Sequence, residues 1–377
     1  MRLTDRQRED VAAFAAFTDE RIIPEANHWD AEQHLSDEIV LALGKARWLV
    51  PTLPVEAGGT ALDVPTYGLF SAEMGRGCGS VRNLVAVQGM VAHAILKWGS
   101  RAQSERWVPR IAAGEAVGAF ALTEPENGSD ARNGRTTAER IAGGYRLTGR
   151  KKWMSFGQRA AVFLVFARLD DEPAVFLVER ETPNFTVRPI GGLLGLRASE
   201  LAELELNGCE IPAENLIAHG RLVFDLVATT SLDYGRYSTA WGAVGLATAC
   251  LDASLDYART RTQFEVPLAE HQLIRALLTD MVAAVEAARL LCGQAGELRA
   301  AGHQDAVRQT LIAKYFASRA AYQVAGDAVQ VHGANGVSSD YPVQRHLRDA
   351  KIQEIIEGTS EIQRLQIAEA TLQRTRV

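Results

Sequence analysis

At about residue 118 the hydrophobic pattern of this 377-residue chain changes period, and at about residue 221 it changes back. Before the first change, EDVAAFAAFTDERII and SDEIVLALGKARWLV carry apolar residues three and four apart, the spacing of one helix face. The second of these opens on Ser36 followed by an acidic turn, an N-cap arrangement. EAGGTALD and GRGCGS punctuate as loops, and NLVAVQGMVAHAILKWGS reads as a buried helix. Between the two changes lie AFALTEP, TTAERIAGGYRLTGRKKWMSF, AAVFLVFARL, PAVFLVERE, FTVRPI and LAELELNGCEI. These are short alternating runs, rich in β-branched and aromatic residues and separated by Gly, Pro, Asp or Asn, which predicts an antiparallel sheet or barrel. A hairpin is expected at Gly143-Gly144. After the second change, Leu273, Leu277, Met281 and Val285 recur every fourth residue, and Leu278, Val282 and Leu291 widen the stripe, as in a helical bundle. The expected class is therefore α+β in three parts. These are an N-terminal helical domain (1–117), a central antiparallel β-barrel (118–220) and a C-terminal four-helix bundle (221–377).

Composition narrows the functional classes. A net charge of −6 leaves no basic footprint for nucleic acid. No apolar run is long enough to span a bilayer, and the charged start MRLTDRQREDVAAF lacks the apolar core of a secretory signal. Cys78, Cys209, Cys250 and Cys292 are widely spaced without a CxxC, as expected of reduced thiols in a cytoplasmic protein. The eight histidines show no ligand spacing, so no metal site is expected.

Residues 346–367, HLRDAKIQEIIEGTSEIQRLQI, read as two pieces of helix joined at a Gly. Leu347, Ile352, Ile355 and Ile356 supply apolar positions before the break, and Ile362, Leu365 and Ile367 resume them after it. Between them Glu357 follows two isoleucines and precedes Gly358, Thr359 and Ser360. Taken alone, Glu357 is an acidic residue at a helix end, and buried Glu is rare. If it is buried, desolvation raises its pKa, which suits a general base for a weak carbon acid.

RDAKIQEIIEGTSEIQR resembles the signature of the acyl-CoA dehydrogenase family, roughly RDxKxxxIxEGTxxIQR. The resemblance covers nearly the whole chain, and its helix–strand–bundle order is the family's. It implies FAD as cofactor and Glu357 as the base that takes the α-proton of an acyl thioester. FALTEPENGSD (120–130) resembles the family's TEPxxGSD, placing Phe120, Leu122 and Thr123 along the flavin ring, with Gly128 in the loop and Ser129 at the diphosphate. Glu126-Asn127 departs from the small residues usual there. RKKWMSFG (150–157) resembles KxWITN, which puts Trp153 on the flavin and Ser155 at its N5, with Phe156 in place of Asn. RTRTQFEVPLAEHQ (259–272) resembles RxQFGxPLxxxQ, assigning Arg261, Gln263, Phe264 and Gln272 to the FAD of a neighbouring subunit. QVHGANG (330–336) resembles QxxGGxG, bringing Gln330 and Gly333 to the adenosine half of that FAD, with Thr359 and Glu361 completing this side. SLDYGR (231–236) places Asp233 and Arg236 at the pantetheine arm of the substrate, which Ser129 and Gly358 also meet.

The implied reaction is α,β-dehydrogenation, with flavin N5 as hydride acceptor and an electron-transfer flavoprotein or similar acceptor downstream. The implied assembly is a dimer or tetramer with FAD shared between subunits. SVRNLVAVQGM and SLDYGRYSTAWGAVG look most like a subgroup of polyketide gene clusters that acts on small acyl groups tethered to an acyl carrier protein, as in hydroxymalonyl or methoxymalonyl extender units. An ordinary catabolic enzyme using CoA and a flavin oxidase using oxygen are the alternatives. Glu357 disfavours the nitroalkane oxidases, which have Asp there, and the acidic balance disfavours a nucleic-acid-binding relative.

Overall fold

The computed structural model describes residues 3–373. The N-terminal part consists of α1 (Asp5–Phe17), α2 (Ala26–Glu32), α3 (Asp37–Lys45), α4 (Val64–Gly77), α5 (Gly79–Trp98) and α6 (Arg101–Ala113). Local sequence sets the helix starts. Thr4 with Gln7, and Ser100 with Gln103, form reciprocal capping boxes on α1 and α6. Ser36 accepts from Ile39 N and Asp63 from Thr66 N, capping α3 and α4. As its composition predicts, α5 is buried over nearly its whole length, and it carries Arg82, Asn83 and Gln88 inside with it.

The central part contains β1 (Gly118–Ala121), β2 (Thr137–Ile141), β3 (Gly144–Met154), β4 (Val162–Leu169), β5 (Glu172–Glu179), β6 (Phe185–Pro189), β7 (Ala202–Pro212) and β8 (Leu216–His219). They form one sheet in the order β6-β7-β3-β2-β4-β5-β8, with β1 added beside β4. The sheet is mostly antiparallel, but β1 and β2 both run parallel to β4. The two follow one another along it, β1 opposite residues 162–165 and β2 opposite 168–169, so the loop 122–136 is an interruption in one strand path. The β2–β3 hairpin turns through Ala142 and Gly143, the latter at φ 81°. β7 alternates as expected, whereas β4 and β5 are buried almost continuously because both faces are covered. Val162, Leu164 and Phe166 join Val87, Val91, Ile95 and Ile111 of α5 and α6. Phe163, Val165 and Ala167 face a second core with Leu147, Phe176 and Leu204.

The C-terminal part consists of α7 (Thr229–Thr260), a small hairpin β9 (Thr262–Gln263) and β10 (Val266–Pro267), then α8 (Gln272–Ala300), α9 (Ala306–His332), α10 (Val343–Gln353) and α11 (Ser360–Leu372). α10 packs on α9 and α7, and α11 packs on α9. Tyr67, Phe70 and Met74 of α4, Trp241 and Val244 of α7, and Met281, Val285 and Ala288 of α8 share one core. The N-terminal helices and the bundle are thus packed as a unit.

Two stripes differ from the sequence expectation. In α8, Met281 and Val285 are buried, but Leu273 is 83% exposed in the single chain. In α10 the buried face is polar, with His346, Asp349 and Gln353 inside while Ile355, just beyond the helix, is half exposed. That face is stabilised by specific partners: Asp349 accepts from Leu196 N at 2.6 Å, and Gln353 accepts from Arg82 at 3.3 Å. All four cysteines are buried and unpaired. Among the described residues no helix is long and apolar enough to cross a membrane.

Candidate active site

The break between α10 and α11 is a left-handed turn. Glu357 lies at φ 56° and Gly358 at φ 93°. The next residue, Thr359, caps α11 by accepting from Ile362 N at 3.4 Å. Glu357 keeps part of its surface open, but its Oε2 is enclosed and has no hydrogen-bond partner. The carboxylate lies against Gly235 of α7, where an added Cβ would stand 2.6 Å from Cδ and 2.7 Å from each oxygen. Burial pushes the Glu357 carboxyl up to about 6, against the opposing pull of Arg236, Arg82 and Lys314.

Those three cations come from three different helices. Arg236 on α7 donates from Nε to the Glu357 carbonyl at 2.9 Å. Lys314 on α9, completely buried, donates to the Gly358 carbonyl at 2.7 Å. Arg82 on α5 donates to Thr239 and to Gln353, both at 3.3 Å. Gln363 on α11 adds contacts to the Glu357 and Gly358 carbonyls at 3.2 and 3.3 Å. Asp233 is engaged elsewhere, in a 2.6 Å ion pair with Arg299 of α8. Of the residues around Glu357, the sequence motifs assign a role to Arg236 but not to Gly235, Arg82, Lys314 or Gln363. A signal for two of them exists: Arg82 and Lys314 are charges on helix faces that otherwise carry apolar and uncharged polar residues.

A second group forms where the strand path is interrupted. A bulge shifts the β3–β7 register between Lys151 and Met154, puts Trp153 at φ 69° and leaves its ring 50% exposed. Ser155 accepts from Asn83 of α5 at 3.0 Å. Lys152 N donates to Thr123 O at 3.0 Å, and buried Lys151 donates to Leu122 O at 3.1 Å and Glu124 Oε1 at 2.8 Å. The segment carrying Phe120, Leu122 and Thr123 is thereby tied to the one carrying Trp153 and Ser155. Glu124 also accepts from Arg135 N and Thr136 N at 2.6 and 2.9 Å, which closes the loop. Burial opposes ionisation of Glu124, yet Lys151 and the Arg135 N–H bring its carboxyl down to about 2. Gly128 and Ser129 are exposed on that loop. Phe156, which stands where the family pattern has Asn, is fully buried in the helical core at φ 57°.

The two groups meet on α5, where Arg82 turns to the Glu357 side and Asn83 to Ser155. The remaining residues do not join them within one chain. Arg261 caps the end of α7, Gln263 and Phe264 lie on the β9–β10 hairpin that follows, Phe264 being 90% exposed, and Gln272 opens α8 on the surface. Gln330 and Gly333 are exposed at the end of α9, where His332 stacks on Tyr257 at 4.3 Å. Glu361 is exposed on the first turn of α11. Phe156 apart, the strand-side residues fit a flavin. Trp153 offers an open aromatic face beside the Ser155 hydroxyl, and Asn127 has a buried side-chain nitrogen with no partner, on the loop that is expected to meet the diphosphate.

Three family models match in series: the acyl-CoA dehydrogenase N-terminal domain over residues 4–115, the middle domain over 119–209 and the C-terminal domain over 225–372. The mitochondrial short-chain specific acyl-CoA dehydrogenase of Sus scrofa is 37% identical over 358 residues, 93% of this chain and 86% of that protein. The glutaryl-CoA dehydrogenase of Mycobacterium smegmatis, solved in complex with FADH2, superposes with a TM-score of 0.94 at 31% identity, covering 99% of this chain and 96% of the other. FkbI, described as serving biosynthesis of the methoxymalonyl extender unit of a polyketide, superposes at 0.87 with 31% identity over 97% and 99%. With matches running through all three parts of the sequence, the chain belongs to the acyl-CoA dehydrogenase family, FAD-dependent oxidoreductases that act on CH–CH bonds.

Proposed function

We propose that the protein α,β-dehydrogenates a short acyl thioester and that Glu357 is the base. One observation carries the reading: an enclosed carboxylate with an unpartnered oxygen, its carboxyl pushed up to about 6 by burial, fixed against Gly235 at the break of a helix. A carboxylate in that state accepts a proton more readily than a solvated one and is ionised at neutral pH. The Glu357 backbone N–H holds the thioester carbonyl, and Arg236 and Asp233 lie along the pantetheine arm. Phe120, Leu122, Thr123, Ser129, Trp153 and Ser155 would hold FAD, which would supply a hydride acceptor for the β-hydrogen, with an electron-transfer flavoprotein or similar acceptor as the oxidant downstream. The short acyl length is taken from the short-chain specific relative. Next to Gly235 in the chain, Tyr234 stacks on Tyr67 at 4.8 Å and occupies the space against Gly89 of α5.

The exposed Phe264 and Leu273 support an oligomer in which the β9–β10 hairpin and the end of α9 reach a neighbour's FAD. Four unpaired thiols suit a reducing compartment, the cytoplasm. Whether the acyl group arrives on CoA or on a carrier protein is decided by offering both. Anaerobic bleaching of the flavin band is followed with butyryl-CoA and with butyryl-acyl carrier protein. Glu357→Gln should retain flavin and reduce it roughly 10²- to 10⁴-fold more slowly with whichever carrier works. Bleaching at the normal rate in that variant refutes the assignment.

A further inference from the structure

We propose that Lys314 is the positioning residue for Glu357: its ammonium, sealed inside the bundle, pins the Gly358 carbonyl and so holds the turn that presents the Glu357 carboxylate. The inference rests on reading Glu357 as the base. Lys314 belongs to the buried stripe Thr310, Leu311, Lys314, Ser318 and Ala321 of α9. A methionine-sized apolar side chain would fill such a position without the desolvation that a charge suffers there. Among the described residues Lys314 has no carboxylate within ion-pair distance, and its hydrogen bond goes to Gly358 O at 2.7 Å.

The turn needs holding. A non-glycine residue in the left-handed region costs about 1–2 kcal/mol, and Glu357 sits there at φ 56°. Two successive carbonyls of that turn receive donors from three helices: Arg236 of α7, Lys314 of α9 and Gln363 of α11. Of these, Lys314 combines complete burial with an ammonium whose charge acts on the Glu357 carboxyl. The other charged groups around it are Arg82 on α5, Arg236 on α7, Glu354 after α10 and Glu361 on α11. Burial lowers Lys314 to about 7, and Glu357 is the first of the charges that oppose this. The productive pair, Glu357 ionised and Lys314 protonated, therefore spans a narrow range around neutrality. Removing the lysine charge raises the proton affinity of Glu357, so the acid limb of the rate profile moves up.

The test uses full-length, flavin-loaded Lys314→Met and Lys314→Arg beside the unmodified protein. Hydrogen–deuterium exchange over residues 354–363 needs no substrate. It should rise about tenfold in Lys314→Met while the interior of α7 is unchanged. Flavin reduction by butyryl-CoA as a function of pH should show the acid limb raised by about one pH unit in Lys314→Met and restored in Lys314→Arg. Exchange within twofold of the unmodified protein together with an unmoved acid limb overturns the proposal. Should Lys314→Met fail to fold, Lys314→Arg decides. Its cation does not titrate near neutrality, so the fall in rate above pH 7 should vanish, and an alkaline limb at the original pH overturns the proposal. A failure of the base assignment would appear separately, as a normal rate in Glu357→Gln, and leaves the exchange result standing.

Discussion

Gly235→Ala separates the geometry of the site from the stability of the fold. Gly235 lies inside α7 with ordinary helical backbone, so alanine is conformationally acceptable and is favoured over glycine by about 1 kcal/mol in a helix interior. The added carbon meets Glu357 Cδ at 2.6 Å, where ordinary contact begins at 3.4 Å. The obstructing atoms are the end of a flexible side chain, so the helix stays and the carboxylate retreats by roughly 1 Å. A displacement of that size at a reacting group costs about 10²-fold in rate, or about 2.7 kcal/mol of barrier. Gly235→Ala should therefore melt at or slightly above the temperature of the unmodified protein, carry normal flavin, and reduce it about a hundredfold more slowly. Thermal unfolding, flavin absorbance per chain and anaerobic stopped-flow with butyryl-CoA measure the three. A flavin reduction rate within threefold of normal would show that the carboxylate is not used where it now lies. A loss of several kcal/mol in stability would show that the added carbon strains α7 instead.

Glu357→Gln should also stabilise the protein. Its folded carboxyl is raised from 4.5 to about 6, so ionised Glu357 costs nothing below pH 4.5, and the cost is complete once pH has risen through 6. The variant should gain up to about 2 kcal/mol at pH 8, shrinking to nothing near pH 4, in denaturant titrations at each pH. Glu124 has the opposite sign. Its carboxyl is depressed to about 2, so its contribution is present above 4.5 and lost as pH falls through 2. Glu124→Gln should cost roughly 3 kcal/mol at pH 7, leave Lys151 buried without its partner, and weaken flavin retention on dilution. Phe264→Asp should give smaller particles in sedimentation, with flavin lost in parallel. Intact particles with full flavin would argue against a shared cofactor.

What the sequence disclosed followed from how far apart the informative residues stand in the chain. The capping of α3 by Ser36, the hairpin at Gly143 and the Glu357-Gly358 break are settled within a few residues of each, and all appear in the structure. The continuous burial of β4 and β5 was hidden because alternation reveals a strand with one wet face, and these have none. The polar inner face of α10 was hidden because its partners, Leu196 and Arg82, lie 153 and 271 residues away. The enclosure of Glu357 is the extreme case. Gly235, Arg82 and Lys314 come from separate helices, and no local pattern links them to residue 357. A lysine among the uncharged residues of a helix's inner face does mark a place where something must answer a buried charge, though it does not say what.

The buried polar residues of α5 give the reason for a three-part chain. Consecutive helix residues point about 100° apart, so Arg82 and Asn83 face different neighbours from one rigid rod. Arg82 reaches Gln353 and Thr239 in the bundle, and Asn83 reaches Ser155 and Ser199 in the sheet region at 3.0 and 3.2 Å. A shift of the bulge that carries Trp153 relative to the turn that carries Glu357 would break hydrogen bonds of buried groups on one side or the other. Each such group left unpaired costs about 1–3 kcal/mol, more where it is charged. The Glu357 turn and the Trp153 bulge come from parts of the chain about 200 residues apart. Their registration therefore depends on two adjacent polar residues, Arg82 and Asn83, of one largely apolar helix, and a uniformly apolar α5 could pack as well without fixing it.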